Sequence, residues 1–396
     1  MTQANDKDEN QWRQVDPMRH HREKRWDYRG RAIYHFTLPV EGRYPLFGTL
    51  EGKGAETAFV KLNSFGQRVC QMLGGLAQFY GGKGYALKVL AQMVMPDHVH
   101  LVIQVLEPLP QSIGAVVRGF KSGCTKVYKE EYYCSGENAA EVHGDTTKGA
   151  AEVQGGAAEV HMNAPMHFGR IFAARGSIWQ QDPAYYHERI LHAPGQLRRM
   201  IDYVKDNPRR LWLKSHNPDL FRLHRRTEAA GLSFTSMGNH FLLHWPDGQV
   251  VEISRSATSG QIQELLSSAL AAAHNGAVTY TAAISKDERL ISRSLREQGY
   301  PLVVLLNDGF PKEGSPQERY YKPGGVYFDA CSKGQLLLLE PTEQAFLDAS
   351  IQEAVEVTLR RKAEERHYCY TPIPVTSQRY RFMALNEMAK RLSLSV

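Results

Sequence analysis

Apolar residues in the first half of the chain recur at every second position in short segments and with helical spacing in longer ones. The first pattern is typical of strands with one buried face, and the second of amphipathic helices. Gly81-Gly82 and Pro208 mark two helix ends, because glycine favours a helix stop and proline lacks the backbone N–H. The pattern predicts strands at 32–38, 45–52, 86–95, 98–106 and 184–191, and helices at 60–80, 110–133 and 194–206.

The second half has a different pattern, in which short, fully apolar strands alternate with amphipathic helices. Such strands are typical of a parallel sheet that is covered on both faces. A Pro-Asp-Gly turn signal predicts a hairpin within 242–254. The remaining predicted elements are helices at 259–274, 285–298, 343–365 and 377–392, and strands at 277–284, 301–307 and 335–340.

At 396 residues the chain is too long for one ordinary core, so two domains are expected. Residues 1–28 are polar and basic without periodicity, which predicts a disordered tail. The first domain then spans 29–225, with an insertion at 134–170 in which AAEVH, AAEVQ and AAEVH form a low-complexity repeat. Basic, proline-containing sequence at 209–230 is interpreted as a linker, and 231–396 as a smaller α/β domain.

The composition is that of a soluble protein, and the placement of its charge suits an anionic partner. The formal net charge is +6, and cations are interleaved with aromatic residues at 19–31 and 209–226. Phosphates and base faces both suit such clusters, although a solvated surface is the simpler alternative. The first cluster nominates Arg22, Lys24, Arg25 and Arg29 as DNA contacts.

Neither a membrane-spanning apolar run nor a secretory signal is present, and five cysteines stand without a CxxC pair. Scattered thiols favour a reducing compartment, so the expected location is the cytoplasm.

His98 and His100 are the first candidate site residues, because they flank Val99 on a predicted strand. Side chains alternate along a strand, so the two imidazoles share a face and could hold two positions of a divalent metal. A lone His-x-His is weak evidence, since chance or a half-buried strand also explains it.

Tyr203 and Asn207 lie four residues apart near the end of the predicted 194–206 helix, so they share a face. Tyrosine can attack phosphorus and store the bond as a phosphotyrosine. A free phenol has a pKa of about 10, so a metal would have to stabilise the charge that develops on the phosphate. Mg²⁺ or Mn²⁺ suits that role, whereas Zn²⁺ would be expected to bring cysteine or a third histidine.

The segments YHFTL, MPDHVHLVI, FKSGCTK, IWQQ, YYHERI and IDYVKDNP resemble those of the single-tyrosine HUH transposases of the insertion sequence 200/605 type, and among them the REP-associated tyrosine transposases. The resemblance covers about 28–225 without the insertion. It implies an α+β, ferredoxin-like domain with an antiparallel sheet and flanking helices. It also implies single-stranded, hairpin-forming DNA as the substrate, cleaved to leave a 5′-phosphotyrosine.

The resemblance also implies roles for individual residues. By position, Tyr203 is the nucleophile, and His98, His100 and Asn207 are the metal ligands. Residues with an implied role in holding DNA are Lys121, Trp179 and Gln180. The insertion at 134–170 and the second domain depart from the usual short transposase.

The second domain distantly resembles the Rossmann-like DprA/SLOG group, which binds nucleotides or DNA. No GxGxxG or lysine-containing phosphate loop follows a strand, so the usual fingerprint is absent. Ser285 could mark an anion site at a helix start, but an N-cap is the simpler interpretation. Gly324-Gly325 could be only a turn.

Two rival interpretations stay open. One is a host-domesticated nickase with the same chemistry, and the other is a non-catalytic regulator that binds DNA hairpins. The presence of His98, His100, Tyr203 and Asn207 favours an enzyme, since binding alone requires none of them. The expected setting is the nucleoid of a bacterial cytoplasm, without membrane contact, and a homodimer stays open.

Overall fold

A computed structural model describes residues 23, 25–132, 172, 176–180, 187–254, 256–315, 323–365, 367 and 369–395. The insertion expected at 134–170, together with Arg22 and Lys24, lies outside these residues. The chain divides into two compact units, which meet in the sequence between Leu213 and Lys214.

The N-terminal unit combines helices with antiparallel strands, as an α+β domain does. Four strands form a sheet in the order β4-β5-β1-β6, and every neighbouring pair is antiparallel. Two further strands, β2 and β3, pair with each other. The elements are β1 (Ile33–Pro39), β2 (Gly48–Glu51), β3 (Phe59–Leu62), α1 (Ser64–Gly74), α2 (Leu76–Gly81), β4 (Leu87–Met95), β5 (His98–Val105), α3 (Ile113–Tyr132), β6 (His187–Ile190), α4 (Gln196–Lys205) and α5 (Asn207–His216).

The two faces of this sheet have different roles. On one face, Tyr34 and Phe36 of β1 and Leu101 of β5 are fully buried in a core that includes residues of α1 and α3. The alternate residues project to the other face, where Met200 and Val204 of α4 form a smaller apolar cluster with sheet residues. Helices thus cover both faces, and the second face also carries the histidines of β5.

The helix expected at 60–80 begins later than the pattern suggests. Residues 59–62 pair with β2 as strand β3, and the side chain of Asn63 then caps α1 by accepting a hydrogen bond from the Gly66 N–H at 2.8 Å. The apolar residues at 60 and 62 fit both the two-residue period of a strand and the 3.6-residue period of a helix, because the strand pattern of β3 passes directly into the helix pattern of α1.

Residues 25–29 are ordered, so the expected disordered tail up to residue 28 is wrong there. The indole N–H of Trp26 donates to the Tyr34 hydroxyl at 3.0 Å, and the Tyr28 ring stacks on that of Tyr34. Backbone N–H groups of α3 and the preceding loop donate to the carbonyls of Tyr28 and Arg29. The aromatic residues that suggested base contacts therefore hold this segment against the domain.

The linker expected at 209–230 is also wrong. Pro208 does end α4, but it lies in the first turn of α5, where its missing N–H is tolerated. A short 3-10 helix and strand β7 follow, and the ring of Phe221 stacks on that of Phe328 at 4.8 Å. Residues 209–213 thus belong to the N-terminal unit and residues 214–230 to the C-terminal unit, so the segment is not a free connection between domains.

The C-terminal unit contains a six-stranded sheet in the order β7-β8-β12-β11-β10-β9. Strands β9 to β12 are parallel, while β8 runs antiparallel to both β12 and β7. Its elements are β7 (His224–Ala229), β8 (Leu232–Gly238), β9 (Gly248–Val250), α6 (Ser259–His274), β10 (Val278–Thr281), α7 (Lys286–Glu297), β11 (Leu302–Leu305), α8 (Gly325–Ser332), β12 (Leu336–Pro341), α9 (Glu343–Phe346), α10 (Ala349–Glu365) and α11 (Gln378–Leu394).

The structure of this unit tests two expectations, the hairpin at 242–254 and the role of Ser285. The hairpin expected at 242–254 is wrong, because β9 pairs in parallel with β10. Ser285 is an N-cap, as its hydroxyl accepts from the Glu288 N–H while the Glu288 carboxylate accepts from the Ser285 N–H. That carboxylate occupies the place where an anion would bind. Gly324-Gly325 begins helix α8. None of the described helices is long and apolar enough to span a bilayer.

Cutting the chain between Leu213 and Lys214 should give two fragments that fold separately, because each unit has its own apolar core. Each fragment should show one cooperative thermal transition by circular dichroism. Cutting after Ala230 instead removes β7 from its pairing with β8, and should lower the unfolding free energy of the C-terminal fragment by about 2 kcal/mol. If the C-terminal fragments from the two cuts have the same free energy of unfolding, the boundary between Leu213 and Lys214 is wrong.

Candidate functional site

His98 and His100 project from β5 on the face opposite the main core, as the alternation along the strand predicts. Both side chains are buried, and their Nε2 atoms lie 3.1 Å apart. The two imidazoles therefore point their Nε2 atoms towards each other.

The other ring nitrogen of each histidine is held by a neighbour. Nδ1 of His98 lies 2.5 Å from a carboxylate oxygen of Asp97. Nδ1 of His100 lies 3.0 Å from Nε2 of His35 and 3.1 Å from the Thr37 hydroxyl, because Thr37 is directly opposite His100 in the β1–β5 register. Partners of this kind orient metal-binding histidines and fix their tautomers.

Asp97 is itself held in place and ionised. Its second carboxylate oxygen forms an ion pair with Arg43 at 2.9 Å. Burial of Asp97 opposes ionisation, but the charge and hydrogen bond of His98 and the charge of Arg43 outweigh it and lower the pKa of the carboxyl group. A negative charge therefore lies behind the His98 ring.

This donor set fits a divalent metal in part. Two ligands at about 2.1 Å in neighbouring octahedral positions lie roughly 3 Å apart, which matches the separation of the two Nε2 atoms. Among the described residues, no group of three or more His, Cys, Asp or Glu side chains could hold a metal. Within that part of the chain, a third protein ligand would have to be of another type, such as an amide oxygen.

Tyr203 lies beside the histidines, although more than a hundred residues separate it from His100 in sequence. Its ring centroid is 5.5 Å from that of His100 and 6.3 Å from that of His35. Helix α4 is anchored through Met200 and Val204. The Arg210 guanidinium lies 5.4 Å from the centre of the Tyr203 ring.

Asn207 is the first residue of α5. Contrary to the expectation, it therefore does not lie on the same helix as Tyr203. It is buried, and its Nδ2 donates to the Tyr203 carbonyl at 2.8 Å and more weakly to that of Val204. Because the amide nitrogen is used in this way, the remaining polar atom of the side chain is the oxygen, which is the atom a metal would take.

Trp179, for which the resemblance implied a role in holding DNA, is a core residue. It is 1% exposed and packs against the rings of Phe47 and Phe120, while its indole N–H donates to the Lys121 carbonyl at 2.9 Å. Burial lowers the pKa of the Lys121 ammonium. The backbone N–H of Gln180 donates to the carbonyl of Pro39, whose register partner on β5 is His98.

Arg25 and Arg29 are exposed, but they lie apart from the histidines. The Arg29 guanidinium donates to the Leu109 carbonyl at 3.2 Å, beyond the end of β5 opposite His98. A strand rises about 3.3 Å per residue, so this end is roughly 20 Å or more from the histidine pair. The structure does not bring these arginines and the site together.

Sequence reasoning missed His35, Thr37, Asp97 and Arg43. A signal existed for the first two, since they alternate on β1 as the histidines do on β5. Finding them required knowing that the two strands pair and in which register. Asp97 is adjacent to His98 in sequence, but its ion pair with Arg43 depends on a contact between loops that no local pattern indicates.

No family model matches the sequence, and no curated protein matches it. Among solved structures, the chain is similar to a REP-associated tyrosine transposase bound to a REP hairpin, at 13% identity and a TM-score of 0.25, over 47% of this chain and 72% of that chain. It is also similar to a predicted transposase from Deinococcus radiodurans R1, at 14% identity and a TM-score of 0.23, over 47% of this chain and 96% of that chain. The interpretation of the site therefore rests on its own geometry.

Proposed function

We propose that the chain is a metal-dependent DNA transposase or nuclease of the single-tyrosine HUH type, which cleaves and rejoins single-stranded, hairpin-forming DNA. One observation carries this proposal: the Tyr203 ring lies against a pair of histidines whose Nε2 atoms converge. A phenol beside a two-imidazole metal half-site suits transesterification at phosphorus.

In the proposed reaction, the Tyr203 hydroxyl oxygen attacks the scissile phosphorus and loses its proton to solvent. The bond from phosphorus to the 3′ oxygen breaks, and that oxygen leaves as a 3′ hydroxyl after taking up a proton. The DNA strand is then joined to Tyr203 through its 5′ phosphate. Attack by another 3′ hydroxyl reverses these bond changes and rejoins the strands without a nucleotide cofactor.

His98, His100 and Asn207 would hold the metal, which when bound supplies positive charge to the scissile phosphate. Asp97 and the His35–Thr37 pair keep the two imidazoles oriented. Two nitrogen ligands suit Mn²⁺ better than Mg²⁺, because first-row transition metals accept imidazole more readily.

The proposal also includes the wider assignments. The N-terminal unit is proposed to be ferredoxin-like and the C-terminal unit Rossmann-like, with the latter's role open. Parts of the DNA that lie far from the reacting atoms are proposed to be held by Lys121, Gln180, Arg25 and Arg29. A non-catalytic or domesticated hairpin-binding regulator is the alternative, and the experiments below separate it from an enzyme.

Replacing Tyr203 by Phe should abolish the covalent protein–DNA species while leaving metal and hairpin binding intact, because only the hydroxyl is lost. The species is detected as a shifted band on a denaturing gel and located by peptide mass. Tyr28→Phe is the matched control, since that ring packs on the far side of the sheet. An adduct that persists in Tyr203→Phe, or that maps to another tyrosine, rules out the assignment. No adduct in the wild-type protein with Mn²⁺ favours the regulator.

His98→Ala should also stop cleavage, but through loss of metal, so excess Mn²⁺ should partly restore it. No metal should restore Tyr203→Phe, because the missing atom is the one that attacks. The measurement is the cleavage rate of a labelled hairpin over a range of Mn²⁺ and Mg²⁺ concentrations. Wild-type protein that cleaves equally well in a chelator would contradict metal dependence.

Asp97→Asn should weaken metal binding by about 10–100-fold, the usual effect of changing a partner of a metal-bound histidine. Titration of Mn²⁺ followed by calorimetry measures this directly. Arg43→Gln is the comparison, since it removes only the ion pair behind Asp97 and should have a smaller effect. Equal metal affinity for Asp97→Asn and the wild type would show that this carboxylate does not orient His98.

A further inference from the structure

Arg189 lies on the edge strand of the N-terminal sheet, directly opposite His35 in the β1–β6 register. Residues directly opposite each other in an antiparallel pair have their side chains on the same face. Arg189 therefore projects from the face that carries His35 and His100, and its side chain is exposed.

Arg199 lies one turn before Tyr203 on α4 and is also exposed. Residues four apart share a helix face, with about 5–6 Å between their Cβ atoms. The Tyr203 ring extends from α4 to His100 of β5 and His35 of β1, towards β6. Arg199 and Arg189 thus lie near Tyr203 on the helix and on the sheet respectively.

Other arginines of this region have carboxylate partners. Arg43 pairs with Asp97, Arg198 with Asp202, and Arg209 with Asp206. Within the described residues, neither Arg189 nor Arg199 forms an ion pair or a side-chain hydrogen bond. Two uncompensated positive charges therefore lie beside the candidate nucleophile.

A guanidinium matches the geometry of phosphate oxygens and binds them through two parallel hydrogen bonds. We propose that Arg189 and Arg199 together form a second phosphate-binding site, which takes a backbone phosphate next to the scissile one on a single strand. This inference rests on the proposed function and deepens it. The two arginines would align the DNA strand across Tyr203. The enzyme would then require an unpaired nucleotide beside the cleaved bond.

The test measures DNA binding without chemistry. The full-length protein is titrated in a chelator against a fluorescein-labelled oligonucleotide that folds into a hairpin with a single-stranded flank, and anisotropy is followed at several salt concentrations. Arg189→Gln and Arg199→Gln should each bind about tenfold more weakly, as expected for the loss of a charge-assisted hydrogen bond. Each should also lower the salt slope by about 0.7, the value for one phosphate contact on a single strand.

Arg198→Gln is the matched control, since it is adjacent to Arg199 but pairs with Asp202 at 3.2 Å on another side of the helix. It should leave both affinity and salt slope unchanged. Arg199→Lys should keep the salt slope and lose part of the affinity, because charge remains without the paired hydrogen bonds. All variants are compared by circular dichroism, and exposed positions should tolerate them.

A second experiment identifies which backbone phosphate the two arginines contact. Neutral methylphosphonate linkages are introduced one at a time along the flank. One linkage next to the cleaved bond should weaken binding by the wild type but not weaken it further in Arg199→Gln. Unchanged affinity and slope in both arginine variants, an equal loss in Arg198→Gln, no measurable binding by the wild type, or additive losses at every linkage would each overturn the proposal.

The cleavage assay separates this inference from the proposed function. If the arginine variants lose binding as expected but the wild type forms no tyrosine adduct with Mn²⁺, the strand-transferase proposal fails and the phosphate site stands. If both arginine variants bind DNA as tightly as the wild type and form the adduct at the wild-type rate, the transferase proposal stands and the phosphate site is overturned.

Discussion

The antiparallel register between β1 and β5 is the constraint on which the candidate site depends. It places Thr37 opposite His100, and because side chains alternate, it puts Tyr34 and Phe36 into the core. A slip of one residue would exchange the two faces of β1, placing its apolar side chains beside the imidazoles and its polar ones in the core. The burial of large rings on one face thus fixes the polar partners of His100 on the other.

A second constraint is the packing of α4 on this face. Met200 and Val204 are buried with Val102, and this apolar contact holds the helix where the Tyr203 ring meets His100. Asn207 then closes the end of α4 by donating to the Tyr203 carbonyl. The position of the candidate nucleophile therefore depends on ordinary hydrophobic packing and a helix-end hydrogen bond.

Charge on this surface is arranged in two ways. Asp97 and Asp206 hold Arg43 and Arg209 in ion pairs, which fixes the loop behind His98 and the junction of α4 with α5. Within the described part of the chain, the exposed Arg189 and Arg199 have no such partner. Since single-stranded DNA offers a phosphate at every nucleotide, this division separates cations that maintain the fold from those available to a ligand.

The sequence by itself determined most of the regular elements, the shared face of His98 and His100, the end of α4 before Pro208 and the cap at Ser285, because these depend on local periodicity and local hydrogen bonds. Tertiary structure decided what depends on pairing between distant segments. Strands β3 and β7 lie at sheet edges, and their sequence patterns merge with those of the neighbouring segments. The family resemblance implied that Trp179 helps to hold DNA, yet it is buried. The meeting of Tyr203 with the histidines follows from how α4 packs on the sheet, and no spacing along the chain encodes that contact.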